Sequence, residues 1–373
     1  MWVAYPDESN LEEIKKIIAK YFNVYEAKQE EGIMAFYVDL PPDENILQEK
    51  FEFLRIELKK RNLIPFLREK AGESIIFIVY KEPVKGRPIW VNIALFIATV
   101  ITTTISGEIL FIGYNGGKLT WETFLSAYNI LYGFLFFSLP LLAILGVHET
   151  AHYIASKKHG VMASLPFFIP IPPNPILPLG TMGAVISMRE PIPDRKALLD
   201  IGVAGPIAGF LVAIPVLLIG LYLMHSHPVI VQQEEGALFI NFPLLGMIML
   251  KFLSVPDNAL MHPTAFAGWV GLLVTAINLL PAGQLDGGHV ARAVLKEKHR
   301  YASFATIISL AALSFLGIGN WLLLILLLVF LLGTEHPPAL NESVSLDWKR
   351  KLLALLALII FILSFTPMPI STT

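Results

Sequence analysis

The pattern of hydrophobic and polar positions changes abruptly near residues 85–88, "KGRP". Before this point, short apolar runs alternate with polar ones. After it, apolar runs become long enough to cross a bilayer, which takes about 20 predominantly apolar residues. The sequence therefore predicts a small soluble domain at residues 1–86 and a membrane domain at residues 87–373, with a core at about 124–295.

The N-terminal part repeats one order of elements, helix-strand-strand. "NLEEIKKIIAKYF" has helical periodicity, and two strand-like runs follow it. The helix "NILQEKFEFLRIELKKRN" and two further strands repeat this order, so that Phe36 and Val38 correspond to Phe77 and Val79. The repeat predicts an α+β domain with one sheet and two helices on one face. It contains no catalytic cluster, which favours a regulatory or docking module that binds a regulator.

The apolar runs after residue 88 predict a polytopic α-helical membrane protein of about seven spans. They cover residues 90–112, 124–155, 197–224, 263–280, 302–316, 320–332 and 352–365. The fifth and sixth are short enough to form one helical hairpin. Residues 164–188 are apolar but too rich in proline for a spanning helix. Non-helical backbone at membrane depth must be buried in protein or line a cavity, which favours a re-entrant β-hairpin over a cytosolic loop.

Basic residues fall on one side of this arrangement. Five clusters share that side: Lys81, Lys85 and Arg87; Lys157 and Lys158; Arg189, Arg195 and Lys196; Arg292, Lys296, Lys298 and Arg300; Lys349, Arg350 and Lys351. The opposite side has only Lys118 and Lys251. Because cytoplasmic loops are enriched in Lys and Arg, we expect a multi-pass cell-membrane protein with its N-terminal domain in the cytosol.

Composition agrees with a membrane protein and narrows its chemistry. The chain is 55% hydrophobic and only 16% charged, with a mean hydropathy of +0.63. Its net charge of −2 argues against a nucleic-acid partner. The absence of cysteine excludes thiolate zinc sites and cysteine nucleophiles, so any metal must be held by His, Asp, Glu or backbone atoms.

The candidate chemistry begins with "HETAH" at the end of the second span. His148 and His152 are four residues apart, so a helix places both imidazoles on one face within reach of one zinc ion. Glu149 lies about 100° around the helix from His148, close enough to face a water on the same metal. This is the position of a general base. Ordinary polar residues at a helix end are the alternative, but ionisable residues inside a span are by default functional.

A catalytic zinc needs a third protein ligand and one open position. "NLLPAGQLDGGH", residues 278–289, supplies Asp286 in a Pro- and Gly-rich break after the fourth span. Asp286 has an alternative interpretation as the N-cap of the following helix. Because "HETAH" is expected in the same bilayer, the interpretation of Asp286 as a metal ligand is favoured.

Together these motifs resemble the site-2 protease family of intramembrane zinc metalloproteases. "HETAH" matches its HExxH motif, and "NLLPAGQLDGG" matches its N-x-x-P…LDG motif, over about residues 144–295. The resemblance implies His148, His152 and Asp286 as ligands of Zn²⁺, Glu149 as catalytic base, and Asn278 as a residue that positions substrate or polarises the scissile carbonyl. The N-terminal repeat and "GTEHPP" near His336 resemble the EGY-like and archaeal subgroup. No PDZ or CBS domain is recognisable.

The preferred interpretation is an intramembrane endopeptidase that cleaves single-span membrane proteins. The "GAVISM" edge at residues 183–188 is expected to pair with the unwound substrate. One alternative is a metal-binding transporter or channel, in which Glu149 would have no role. The other is an inactive scaffold, which would not explain why every expected catalytic position holds the residue that catalysis needs. Seven further histidines are expected not to be ligands, and most of them to lie solvated at the membrane interfaces: His159, His225, His227, His262, His289, His299 and His336. Of these, His289 and His336 are the two expected near the cytosolic mouth of the site.

Overall fold

The N-terminal domain is a four-stranded antiparallel sheet with two helices. The structure is a computed structural model that describes residues 11–30, 33–81, 86–174, 178–230, 238–333 and 336–372. The domain runs α1 (Leu11–Ala19), β1 (Asn23–Glu30), β2 (Ile33–Asp39), α2 (Glu44–Lys59), β3 (Leu63–Lys70) and β4 (Glu73–Tyr80). The strands lie in the order β1-β2-β4-β3. The helix-strand-strand order thus occurs twice, in the arrangement that the repeat predicts.

Both helices cover the same face of this sheet. Ile18 of α1 and Leu54 of α2 are fully buried in one cluster with Phe36 of β2. In β4, however, the residues that enter this cluster are Ile76 and Ile78. The predicted match of Phe36 and Val38 with Phe77 and Val79 is therefore wrong by one residue. A shift of one residue turns every side chain of a strand to its other face.

The membrane domain is mostly helical. Its elements are α3 (Ile89–Tyr114), α4 (Trp121–Phe124), α5 (Ala127–Gly133), α6 (Leu139–Lys158), β5 (Phe167–Pro170), β6 (Thr181–Val185), α7 (Arg195–Ser226), β7 (Leu238–Ile240), α8 (Leu244–Leu253), α9 (Pro263–Asn278), α10 (Asp286–Leu295), α11 (His299–Phe315), α12 (Leu322–Leu326), α13 (Trp348–Ser364) and β8 (Ile370–Thr372). A π-helical turn, Phe134–Ser138, joins α5 to α6. A second one, Leu327–Leu332, follows α12.

Among the residues that the structure describes, three helices are long and apolar enough to cross a membrane, and they indicate membrane association. They are Ile89–Tyr114, Ala127–Lys158 and Arg195–Ser226. The predicted count of about seven spans is not confirmed. In the other predicted runs, the described helices α9, α11 and α13 have 16, 17 and 17 residues, and α12 has five. At a rise of 1.5 Å per residue, 16 residues reach only about 24 Å.

The proline-rich segment between α6 and α7 contains the short antiparallel pair β5–β6. Phe167 pairs with Val185, and Phe168 pairs with Ala184. Residues 175–177 of the same segment lie outside the described residues. A hairpin is therefore present where the sequence predicts one, while its re-entry into the bilayer stays a prediction.

Residues 336–346, which we call the strap, join the N-terminal domain to the membrane domain. The N–H of Leu67 in β3 donates to the carbonyl of Leu340 at 2.9 Å, and the N–H of Leu340 donates to the carbonyl of Ile192 at 2.9 Å. The N–H of Asn341 donates to the carbonyl of Pro193, also at 2.9 Å. Leu340 is buried in the same cluster as the core of the N-terminal domain. The strap therefore lies along the edge of β3 on one side and along the residues before α7 on the other.

Candidate metal centre

Helix α6 places His148 and His152 on one buried face. The two ring centroids lie 4.8 Å apart, and the planes are inclined by 67°. Their Nε2 atoms are 3.1 Å apart. Two ring nitrogens this close, inside a long apolar helix, point at one common position.

Asp286 reaches the same position from α10. Its Oδ2 atom lies 3.2 Å from Nε2 of His152 and 3.3 Å from Nε2 of His148. The N-cap residue of α10 is Leu285, and Asp286 is the first helical residue. The carboxylate is therefore directed at the two histidines, and the alternative of a helix cap does not apply.

The three atoms fit a zinc ion. They form a nearly equilateral triangle with sides of 3.1–3.3 Å. Tetrahedral ligands at 2.0–2.1 Å from zinc are separated by about 3.3–3.4 Å. Two imidazoles and one carboxylate, with a fourth position left open, are a donor set of catalytic zinc sites. Within the described residues, this is the group of His, Asp and Glu side chains whose geometry could hold a metal.

Glycine residues allow this approach of helices and turns. A Cβ atom on Gly205 of α7 would lie 2.1 Å from Nε2 of His152, and one on Gly287 would lie 2.1 Å from the carbonyl oxygen of Leu279. Gly205 therefore packs directly against the rings of His152 and His148.

A backbone carbonyl fixes the orientation of His152. Its Nδ1 atom lies 2.8 Å from the carbonyl oxygen of Ile201 in α7. A carbonyl can only accept, so Nδ1 carries the proton, and Nε2 presents its lone pair to the cluster. The motif gives no signal for this contact, because a backbone carbonyl has no sequence identity.

Glu149 and Asn278 lie beside the triangle. The Glu149 carboxylate is buried and faces the backbone N–H of Ile186, just past β6. The Nδ2 atom of Asn278, the last residue of α9, is 3.4 Å from Nε2 of His148. The structure thus brings together all five predicted site residues: His148, Glu149, His152, Asn278 and Asp286.

The expectation that most of the other seven histidines are solvated is wrong, because four of them are buried. His262, His289, His299 and His336 are all buried. His262 is the N-cap of α9, and its Nδ1 accepts a hydrogen bond from the N–H of Thr264 at 3.1 Å. The rings of His289 and His336 are in edge-to-face contact, with centroids 4.3 Å apart. Burial lowers the pKa of His336, so this ring is neutral.

Comparisons with known proteins find a family model and several relatives that match parts of this chain. Residues 136–318 match the model described as "Peptidase family M50". The chain is 31% identical over 249 residues to "Probable zinc metalloprotease EGY1, chloroplastic" of Arabidopsis thaliana, covering 64% of this chain and 44% of that protein. It is 29% identical over 233 residues to "Probable zinc metalloprotease EGY2, chloroplastic" of Arabidopsis thaliana, covering 62% and 41%.

A third relative is "Probable zinc metalloprotease EGY3, chloroplastic" of Oryza sativa subsp. japonica. It is 30% identical over 248 residues, covering 61% of this chain and 41% of that protein. The chain thus spans less than half the length of these relatives. No solved structure matches it.

Proposed function

Because residues 136–318 match the model described as "Peptidase family M50", we propose that this protein is a zinc-dependent intramembrane endopeptidase. It would hydrolyse peptide bonds in the transmembrane helices of membrane proteins. The observation that supports this most is the triangle of His148, His152 and Asp286, which is built onto a helix long and apolar enough to cross a membrane. The relatives are named as zinc metalloproteases, and the donor set suits zinc.

In this proposal His148, His152 and Asp286 hold the metal, and Glu149 is the general base. Zinc supplies Lewis acidity that lowers the pKa of a bound water to about 7. The Glu149 carboxylate accepts a proton from the attacking water and delivers it to the leaving amine. Its burial beside His148 keeps bulk water from competing for that proton.

Asn278 is proposed to bind the scissile carbonyl. Its amide nitrogen lies 3.4 Å from Nε2 of His148 and is therefore close to the proposed metal position. A side-chain N–H there donates to the oxygen as negative charge develops on it, which is a form of electrostatic transition-state stabilisation.

Residues 183–188 are proposed to hold the substrate in an extended conformation. β6 pairs with β5 along one edge, and Ile186 lies at the Glu149 carboxylate. A peptide that adds a strand to the other edge would therefore run past the catalytic base. Because a helix shields its own carbonyls, the substrates are proposed to be single-span proteins whose helices unwind locally.

The finer architecture is also a proposal. It comprises a soluble domain at residues 1–86, a membrane domain at 87–373 with a core at about 124–295, about seven spans and a re-entrant hairpin. The N-terminal domain is placed in the cytosol, on the side of the five basic clusters, in a cell membrane. Its contact with Asp194, the N-cap of α7, supports this placement, because Gln48 Nε2 donates to Asp194 Oδ2 at 2.8 Å. The domain is further proposed to bind a regulator.

A metal-binding transporter is not favoured. The family match is to a peptidase. A transport site also has no need for Glu149, a buried carboxylate that lies beside the ligands without being one of them.

The experiment compares Glu149→Gln with wild type and with Glu122→Gln, an exposed carboxylate on α4. Each protein is expressed in the same cells, its bound zinc is measured after purification in detergent, and membrane-protein fragments are quantified by mass spectrometry. Glu149→Gln should keep its zinc and slow fragment formation by about 10²–10⁴-fold, because it removes the base but no ligand. Glu122→Gln should behave as wild type. Fragment formation at the wild-type rate in Glu149→Gln would refute the mechanism.

A further inference from the structure

The strap carries His336 to the helix that bears Asp286. The backbone N–H of His336 donates to Nε2 of His299 at 3.0 Å. Its ring packs edge-to-face on His289, with a centroid distance of 4.3 Å and an interplanar angle of 67°. His289 belongs to α10, three residues after Asp286 and therefore on the same face of that helix.

Backbone carbonyls fix all three of these rings. Nδ1 of His289 lies 3.0 Å from the Leu285 carbonyl oxygen, Nδ1 of His336 lies 2.7 Å from that of Pro337, and Nδ1 of His299 lies 2.9 Å from that of Lys296. Because a carbonyl only accepts, each Nδ1 carries the proton. His299 is thereby left with the Nε2 lone pair that accepts from His336.

The first turn of α10 contacts both α7 and the strap. Helix α7 approaches so closely that a Cβ atom on Gly202 would lie 2.7 Å from Cβ of His289. The ring of His336 packs against the ring of the same His289. Removing the His336 ring would leave a gap beside the turn that positions Asp286, and buried side chains tolerate such gaps poorly.

Further contacts anchor the rest of the strap to α10 and to the start of α7. The Arg292 guanidinium of α10 bonds to the carboxylate of Glu342, with its Nε at 2.9 Å. The Arg195 guanidinium donates from Nη1 to the carbonyl of Val344 at 3.1 Å and from Nε to the carbonyl of Ala293 at 2.9 Å. These contacts therefore join the strap to α10 and to the start of α7.

The N-terminal domain is hydrogen-bonded to the other edge of the same strap. Arg68 of β3 donates to the carbonyls of Leu340 and Ala339, both at 2.9 Å, in addition to the backbone bond from Leu67. A continuous set of contacts therefore connects the sheet of the N-terminal domain, the strap, His336, His289 and α10.

We propose that His336 is a positioning residue of the metal centre, and that the N-terminal domain acts on the centre through the strap. His336 holds the first turn of α10 so that Asp286 meets His148 and His152. The proposal rests on the proposed function only in taking these three residues as metal ligands. A protein bound to the N-terminal domain would then change the metal centre without touching it.

The first test is metal binding by the full-length chain in detergent, with Co²⁺ as the probe. Affinity is measured by competition with a chelator, and ligand geometry is followed by the visible d–d absorption bands. His336→Ala should weaken Co²⁺ binding about 10–100-fold, the usual effect of losing a group that orients a ligand, and should change the bands. His336→Phe should restore both, because it keeps the ring against His289. His159→Ala is the matched control, since His159 contacts Asp200 and lies outside this network.

Two further measurements separate this proposal from the proposed function. Amide hydrogen exchange of residues 286–295 in the metal-free chain should rise in His336→Ala and stay unchanged in His159→Ala, whether or not the protein cleaves peptides. Arg68→Ala should weaken Co²⁺ binding in the same direction, and its effect should be less than additive with that of His336→Ala. Wild-type affinity and bands in His336→Ala would overturn the positioning role. Equal impairment of His336→Phe would overturn the role of the ring, and full additivity would overturn the coupling through the strap.

Discussion

Gly205 lies where a single methyl group should disrupt the metal centre. An ideal Cβ atom on this residue would be 2.1 Å from Nε2 and 2.3 Å from Cδ2 of His152, and 2.8 Å from Cδ2 of His148. Ordinary contacts of this kind begin at 3.4 Å, so the first of these falls short by about 1.3 Å. Either α7 or the His152 ring must move by about that distance.

Neither movement leaves the ligand in place. His152 is tied to α7 by its bond of 2.8 Å to the Ile201 carbonyl, one turn before Gly205. Zinc–ligand distances tolerate only about 0.2 Å. Loss of an orienting contact alone weakens metal binding about 10–100-fold, and displacement of the ligand adds to this. We therefore expect Gly205→Ala to bind zinc at least about 100-fold more weakly than wild type.

The assay is zinc affinity of the purified chain, measured by chelator competition, with thermal unfolding recorded in parallel. Gly146→Ala is the matched control, because its Cβ would meet only Cζ of Phe168, at 4.0 Å, on the helix that carries the ligands. Alanine is favoured over glycine in a helix by up to about 1 kcal/mol, so propensity alone does not predict loss of the fold. Wild-type zinc affinity in Gly205→Ala would refute the close approach on which this reasoning depends.

Three other predictions concern pH, topology and substrate. Burial tends to raise the pKa of Glu44, but hydrogen bonds from Ser345 of the strap and nearby Lys196 and Arg195 outweigh it and hold this pKa below its usual 4.5. The stability that Glu44 contributes is then present above about pH 4.5 and is lost as the pH falls through the lowered pKa. Added protease should therefore digest the N-terminal domain faster when the pH is lowered through this range. Glu44→Gln should remove that part of the pH dependence, and an unchanged profile would contradict it. Protease added outside intact cells should spare residues 1–88, whereas digestion would reverse the orientation. Replacing Gly, Pro, Asn or Ser in the helix of an identified substrate by Leu should slow its cleavage on a gel assay, because unwinding becomes costlier, and equal or faster cleavage would exclude that requirement.

The grouping of the three proposed ligands could be predicted because short-range geometry decides much of their placement. A spacing of four residues places His148 and His152 on one helical face whatever the rest of the fold. The prediction for Asp286 required one further argument. A carboxylate in a glycine-rich break beside a membrane span requires a polar, charged or metal partner. The structure places all of these within one triangle.

Long-range placement could not be predicted in the same way. The periodicity of β4 is ambiguous because "SIIFIVY" is apolar on both faces, so nothing in it shows that Ile76 and Ile78 face inward. The strap has no periodic pattern. It contacts Leu67 and Ile192 through backbone hydrogen bonds, which do not depend on the identity of the side chains and leave no signal in the sequence. The burial of His336 could not be predicted, because it depends on contacts with His289 and His299, which lie far away in the sequence.

The strap also sets an order for the synthesis of the protein. The N-terminal domain is made first, yet Leu340, which completes its core and covers the edge of β3, lies 272 residues after Arg68. At about 5–20 residues per second, roughly 14–54 s pass before the ribosome delivers it. During that time β3 presents an unpaired edge, the kind of surface that recruits chaperones or other chains. The domain closes only after the helices between Arg68 and Leu340 have been made, so its closure reports that these helices have been synthesised.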